Sequence, residues 1–146
     1  PLFSDELYSL YEKYINHRHA DGDMYPPSPE QFRSFLVKSE QDTFFYQFRD
    51  QEKLLAVAVI DRLEQGLSAI YTFFDPEESR RSLGRYSILK QIEMVQEQKL
   101  QYLYLGYWIK NCQKMDYKIE YRPIQLLFDG HWTQIEKTNI IDALPP

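Results

Sequence analysis

The order of hydrophobic patterns predicts an α/β fold with a mixed central sheet flanked by helices. Three observations carry that prediction. Two amphipathic helical segments open the chain. Three consecutive strand-like runs then follow with only short polar turns between them. After those, a helical segment, a further strand and a closing strand pair alternate in a way that an all-β or all-α chain would not. The length, 146 residues, is that of a single domain spanning residues 1–146.

Ser4 is placed to cap a helix that runs to about Asn16. Within it Leu7, Leu10, Tyr11, Tyr14 and Ile15 recur at the spacing of one buried helical face. A polar loop, His17 to Pro27, is stiffened by Pro26 and Pro27. Ser28, Pro29 and Gln31 form a helix-start signal with a capping box, and the helix they open ends near Lys38. The strand candidates are Thr43 to Arg49, Leu54 to Ile60 and Leu67 to Phe74. Their connections, Asp50-Gln51-Glu52 and Glu64-Gln65-Gly66, are short enough to make the neighbours antiparallel. Asp75-Pro76 stops the third strand. A helix from about Gly84 to Gln98 would bury Ile88, Ile92 and Val95. Tyr102 to Tyr107 reads as a fourth strand, followed by a helix that ends at Arg122-Pro123. Leu126 to Phe128 and Trp132 suggest a last strand pair around Asp129-Gly130.

Charge is segregated along this order. The chain carries a formal net charge of −5. Residues 1–79 hold 7 Lys/Arg against 15 Asp/Glu, whereas residues 80–122 hold 9 against 4. An acidic body with one basic stretch suits a phosphate-bearing partner touched over a small area, rather than a long DNA duplex. Within that stretch Lys110, Lys114, Lys118 and Arg122 recur every four residues beside Tyr107, Trp108, Tyr117 and Tyr121. On a helix this spacing aligns cations along one side, with aromatic rings available for stacking. The alternative is a solvated basic face. Arg80, Arg81, Gly84 and Arg85 surround the entry to the Gly84 helix. A strand feeding a glycine-containing loop at a helix N-terminus is a general anion site.

Composition excludes other classes. No apolar run is long enough to span a membrane and no secretory signal core opens the chain. Cys112 is the only cysteine, so no intrachain disulfide forms, and a reducing cytoplasmic setting is expected. With that one cysteine and 3 histidines, a structural zinc site is not expected. The start at Pro1, without a methionine, points to a fragment of a longer protein.

The loop Arg81 to Tyr86 resembles the pyrophosphate loop of the GNAT acyltransferase superfamily, with Arg81 and Gly84 in place and Tyr86 where a small residue belongs. That departure argues against coenzyme A as a cofactor, and no other cofactor or metal is expected. A closer resemblance covers nearly the whole chain. RHADGDMYPPSPEQF (18–32), AIYTFFDPEE (69–78), SLGRYSILKQIE (82–93) and YLYLGYWIKNCQKMDYKIEYRP (102–123) resemble the C-terminal domain of the arginyl-tRNA–protein transferase family, nearest its bacterial aspartate/glutamate leucyltransferase branch. The family's N-terminal cysteine-cluster region has no counterpart here.

The resemblance implies a GNAT-like fold and transfer of an amino acid from aminoacyl-tRNA to the α-amine of a protein that begins with Asp or Glu. The transferred residue marks that protein for degradation. Leucine from Leu-tRNA is the donor that the branch implies; arginine is the alternative. An acetyl-CoA-dependent acetyltransferase and a non-catalytic tRNA- or peptide-binding domain are the other readings. Under the resemblance, Arg80, Arg81, Gly84, Arg85, Lys114 and Lys118 would hold tRNA phosphates. Tyr107 and Trp108 would line the aminoacyl or adenine pocket. Arg18 or Arg122 would meet the acidic side chain of the acceptor, since the planar guanidinium fork suits a carboxylate. Asp75 would orient the amine unless it is only an Asp-Pro turn. His19, in the loop with Asp21 and Asp23, is a candidate base unless it is a plain surface histidine.

Overall fold

A computed structural model describes residues 4–34, 42–108, 110, 112 and 114–135. They belong to two compact units, Pro1–Gly106 and Tyr107–Pro146.

The first unit is built on a sheet of order β1-β2-β3-β4. Its strands are β1 (Asp42–Asp50), β2 (Lys53–Arg62), β3 (Gly66–Phe74) and β4 (Tyr102–Tyr104). The first three are antiparallel neighbours, as their short turns require. β4 runs parallel to β3, so the chain between them must cross over, and α3 (Leu83–Glu97) makes that crossing. The sheet is mixed, as expected. β2 explains why its sequence is an unbroken apolar run: both of its faces are covered. Val57 and Val59 join the core beneath α1 (Asp5–Arg18), with Leu7, Tyr11, Ile15, Phe32 and Phe73. Ala56, Ala58 and Ile60 face the other core, with Leu67, Leu83 and Val95 of the α3 side. Each large apolar side chain fully buried in these cores contributes roughly 1.5–3 kcal/mol.

The helix starts behave as their residues dictate. Ser4 accepts a hydrogen bond from the Leu7 amide at 3.2 Å, and Ser28 accepts one from Gln31 at 3.1 Å. α1 runs two residues beyond the expected Asn16. α2 spans Pro29–Phe32 with Arg33 as its C-cap, and residues 35–38 of its expected continuation fall outside the described residues. α3 differs in its buried face. Ile92 is only half-buried, while Ser87 and Gln91 are fully buried against the sheet.

The second unit departs further. β4 ends at Tyr104 rather than Tyr107, two residues before Gly106 takes a positive φ of 84°. Beyond it the described residues hold only a short 3₁₀ helix, Asp116–Glu120, where a basic α-helix was expected. Lys110, Lys114, Lys118 and Arg122 therefore do not share a helical stripe. Asn111, Cys112, Asp116 and Tyr117 are weak helix formers, and charge spacing alone does not nucleate a helix. The closing hairpin is present as β5 (Ile124–Phe128) and β6 (His131–Ile135). Asp129 and Gly130 both take positive φ in its two-residue turn, as an Asp-Gly hairpin turn demands.

One close approach fixes where β3 and β4 meet. A Cβ on Gly66 would lie 2.3 Å from the Tyr102 carbonyl oxygen. Gly66→Ala should therefore force the two strand starts apart and cost about 1–3 kcal/mol, the usual range for overpacking. A urea denaturation midpoint measured on the complete protein checks this. An unchanged midpoint would mean that the strand pair can shift at no cost.

Candidate functional site

β3 and β4 pair over only three residues, Gly66–Ser68 with Tyr102–Tyr104. β3 then continues six residues to Phe74 with no ladder partner on that side among the described residues. β4 thus ends at Tyr104, while β3 runs on beyond it.

The N-terminus of α3 stands just beyond the end of β3. Ser82 precedes it in a left-handed conformation, φ 49° and ψ 50°, and its hydroxyl caps nothing. The first amides of α3 thus lack the side-chain partner that Ser4 and Ser28 supply to α1 and α2. Such an end attracts an anion through its amides and its dipole. Gly84 lies in this first turn. A Cβ there would rest 3.7 Å from the Phe74 ring, an ordinary contact. The fold has room for a side chain at this position, so the bare backbone is not a packing requirement.

Phe74 ties this end to α1. The Arg18 guanidinium lies 5.0 Å over its ring, in cation–π range. Tyr14 packs on the same ring, centroid to centroid 5.0 Å. The Tyr14 hydroxyl hydrogen-bonds His19 Nε2 at 3.0 Å. The structure therefore brings Arg18, His19 and Gly84 together around Phe74. Asp21 and Asp23 are exposed in the same loop.

The arginines of the loop behave differently from one another. Arg81 donates to Asp50 at 3.0 Å and pairs with Glu78 at 2.9 Å, so its guanidinium is held toward β1. Arg80 and Arg85 are exposed. Tyr86 also turns to β1: its ring packs edge-on against Phe48 at 5.7 Å.

Asp75 is the one charged residue buried among the described residues, 3% exposed. Its carboxylate accepts the Glu77 amide at 3.0 Å and caps the 3₁₀ helix Pro76–Arg81. Lys13 reaches it from α1 at 2.9 Å and Lys53 from β2 at 3.4 Å. Both lysines extend the network, Lys13 to Glu77 at 2.9 Å and Lys53 to Glu78 at 3.2 Å. Burial alone would push the Asp75 carboxyl up. Lys13, the Glu77 amide and Lys53 outweigh it and hold the group below its ordinary value. Glu77 foremost, with Asp75, raises Lys13 in turn.

Sequence reasoning missed Tyr14, Phe74, Ser87 and Gln91. Gln91 donates to Ser87 Oγ at 3.0 Å, and Ser87 Oγ lies 3.4 Å from Thr72 Oγ1 on β3. The signal was a polar pair at i, i+4 on the face of α3 where apolar residues belong.

In the second unit Tyr107 is 90% exposed. Lys118 donates to the Tyr107 carbonyl at 2.7 Å, and burial pushes its ammonium down from the usual range. Arg122 donates to the Ile119 and Tyr121 carbonyls. Lys114 is exposed and Trp108 is half-buried. Among the described residues no group of acidic, His and Cys side chains has the arrangement of a metal site. No described helix is long and apolar enough to cross a membrane.

The depressed Asp75 pKa sets a pH signature. Its contribution to stability is present above the unfolded value near 3.9 and is lost as pH falls through the lower folded value. Asp75→Asn should cost about 1–3 kcal/mol near neutral pH and flatten the acid limb of the stability curve. Urea midpoints at pH about 7 and about 3 test this. Parallel pH dependence in both proteins would contradict it.

The description "Arginine-tRNA-protein transferase, C terminus" belongs to the family model that matches residues 6–128. Curated relatives are named aspartate/glutamate leucyltransferase. The one from Stutzerimonas stutzeri is 60% identical over 135 residues, 92% of this chain and 57% of the relative. Those from Pseudomonas fluorescens and Teredinibacter turnerae are 59% and 55% identical, covering 90% and 94% of this chain and 56% and 57% of their own lengths. The chain thus spans a little over half the length of the curated relatives it matches. Among solved structures, the ribosomal-protein-S18-alanine N-acetyltransferase from Escherichia coli shares the fold, with TM-score 0.58 and 18% identity over 82% of this chain and 73% of that one. The α/β fold with its mixed sheet is thus shared with that N-acetyltransferase, and the chain belongs to the arginine-tRNA-protein transferase C-terminal family.

Proposed function

We propose that this chain is the acyl-transfer part of an aspartate/glutamate leucyltransferase acting in the cytoplasm. It moves leucine from Leu-tRNA to the α-amine of proteins that begin with Asp or Glu, and so marks them for degradation. The observation that carries the reading is the uncapped α3 end, reached where β3 runs on past the end of β4, with Arg18 stacked on Phe74 and His19 bonded to Tyr14 nearby. The sequence similarity to curated leucyltransferases supports the choice of donor.

In the reaction, the amine nitrogen attacks the ester carbonyl carbon at the 3′ end of the tRNA. A C–N bond forms and the ester C–O bond breaks. The ribose hydroxyl leaves with a proton, and the amine loses one. Since the reference α-amine pKa is about 7.7–8.0, a modest base frees it. His19, bonded to Tyr14, is the proposed acceptor of that proton. Backbone amides of β3 are the proposed donors to the oxyanion. The α3 end with Gly84 would hold a 3′-terminal phosphate, and Arg80 and Arg85 would add charge there. Lys114 and Lys118 are assigned to further tRNA phosphates, and Tyr107 and Trp108 to the adenine or the leucyl side chain. Asp75, saturated by two lysines and an amide, is assigned to holding the strand end rather than to orienting the amine.

For the acceptor carboxylate the geometry favours Arg18 over Arg122. Arg122 already donates to two backbone carbonyls, whereas a guanidinium stacked on Phe74 keeps its planar fork for a carboxylate.

Incubating the complete protein with labelled Leu-tRNA or Arg-tRNA and peptides that start with Asp, Glu or Ala tests the function. Leucine should pass to the Asp and Glu peptides only. Transfer of arginine instead would reassign the donor. Arg18→Ala should reduce transfer to acidic peptides more than tenfold, the scale of about 2–5 kcal/mol for a lost charged contact, with tRNA affinity kept within about twofold. Normal transfer by this variant would place the acceptor pocket elsewhere. Gly84→Ala should hold or raise the melting temperature, since alanine is favoured over glycine in a helix by up to about 1 kcal/mol. The same substitution should raise KM for Leu-tRNA severalfold. An unchanged KM would remove the phosphate role of this turn.

A further inference from the structure

Between β1 and the first half of α3 lies a cleft of about 620 Å³ that the reaction above does not use. Its volume is that of a small-ligand site, within the usual range of roughly 300–1,000 Å³. Tyr46 and Phe48 of β1 and Tyr86 of α3 line it. Tyr46 and Phe48 pack edge to face at 4.9 Å, and Phe48 and Tyr86 at 5.7 Å. Tyr46 and Tyr86 remain 36% and 46% exposed, so ring surface is open to a ligand. Cations complete the lining. Lys90 Nζ lies 5.7 Å from the Tyr86 ring centroid, and Arg49 and Arg81 stand beside Asp50.

These cations are already paired: Lys90 with Glu93, Arg49 with Glu6, and Arg81 with Asp50 and Glu78. The pairs are solvent-exposed for the most part and therefore weak, so a dianionic or bridging phosphate can replace a carboxylate partner at little cost. Aromatic faces beside guanidinium and ammonium groups match one ligand chemistry above others, a base attached to a phosphate. A purely apolar ligand would leave the three cations unused, and a bare anion would leave the rings unused. Tyr86 is informative here. It replaces the small residue of the acetyltransferase loop, and its ring forms a wall of this cleft.

We propose that the cleft is a nucleotide site for the unpaired acceptor end of the donor tRNA. It takes one nucleotide other than the terminal adenosine, with its base against Tyr46 and Tyr86 and its phosphate at Lys90 and Arg81. This rests on the tRNA reading above. An unpaired nucleotide is required because a base stacked in a duplex has no free face.

The test is equilibrium binding of deacylated leucine tRNA to the complete protein at two salt concentrations, with far-UV circular dichroism as a check on folding. Tyr46→Leu and Tyr86→Leu should each weaken binding roughly tenfold without changing its salt slope. Tyr86→Phe should bind within about twofold of wild type, because the ring and not the hydroxyl is used. Lys90→Met should lower the salt slope by about 0.7, the value for one single-strand phosphate contact. A tRNA lacking its unpaired 3′ end should bind wild type and Tyr86→Leu alike. Wild-type affinity for intact tRNA in both leucine variants would overturn the site. So would a loss in Tyr86→Phe equal to that in Tyr86→Leu. A wild-type protein that binds no tRNA would instead overturn the reading on which the site rests.

Discussion

The short parallel contact between β3 and β4 is the constraint on which the rest of the first unit depends. A parallel pair cannot be joined by a hairpin, so the chain must leave the sheet and return. α3 is that return, and the crossover starts it just past the C-terminal end of β3. Ligands of open α/β sheets bind at such ends. Gly66 makes the contact possible, since any side chain there would strike the Tyr102 carbonyl. The contact also stops after three pairs, and β3 runs on with no ladder partner on that side among the described residues. That length of β3 and the helix N-terminus arise from the same connection.

The Asp75 network holds this arrangement from behind. The carboxylate sits at the junction of β3 and the 3₁₀ helix, and its lysines come from α1 and β2. Two elements distant in sequence, α1 and β2, are thereby tied to the segment that leads into α3. The arrangement leaves the α3 end itself without a side-chain cap. Arg81 belongs to the same network, through Glu78 and Asp50. The loop cation most suited to phosphate by its sequence position is thus the one directed toward the aromatic cleft.

The sheet strands, α1, α3 and the closing hairpin were legible in the sequence because each has a local cause: turn residues, caps and apolar periods of two or 3.6. β2 was legible as apolar but not as doubly covered, which only the helices reveal. The segment after β4 was misread. Its cations recur at helical spacing, yet periodicity of charge says nothing of helix stability when weak helix formers interrupt it. The site was legible in part. Arg18, His19 and Gly84 were identifiable by residue type and motif, but their meeting at Phe74 depends on tertiary packing. The aromatic cleft was not legible at all, because Tyr46 and Phe48 are far from Tyr86 in sequence and each reads as ordinary packing.

The central claim is that the donor's 3′ end seats between the β3 edge and the start of α3. Amide NMR of the complete protein, titrated with an adenosine bearing leucine in a stable 3′-amide link, tests it most directly. The account predicts saturable shifts at the amides of residues 69–74 and 83–85, with the His19 ring responding. Saturable binding that moves only the amides of Tyr107–Ile135, and leaves β3 and α3 unchanged, would contradict it.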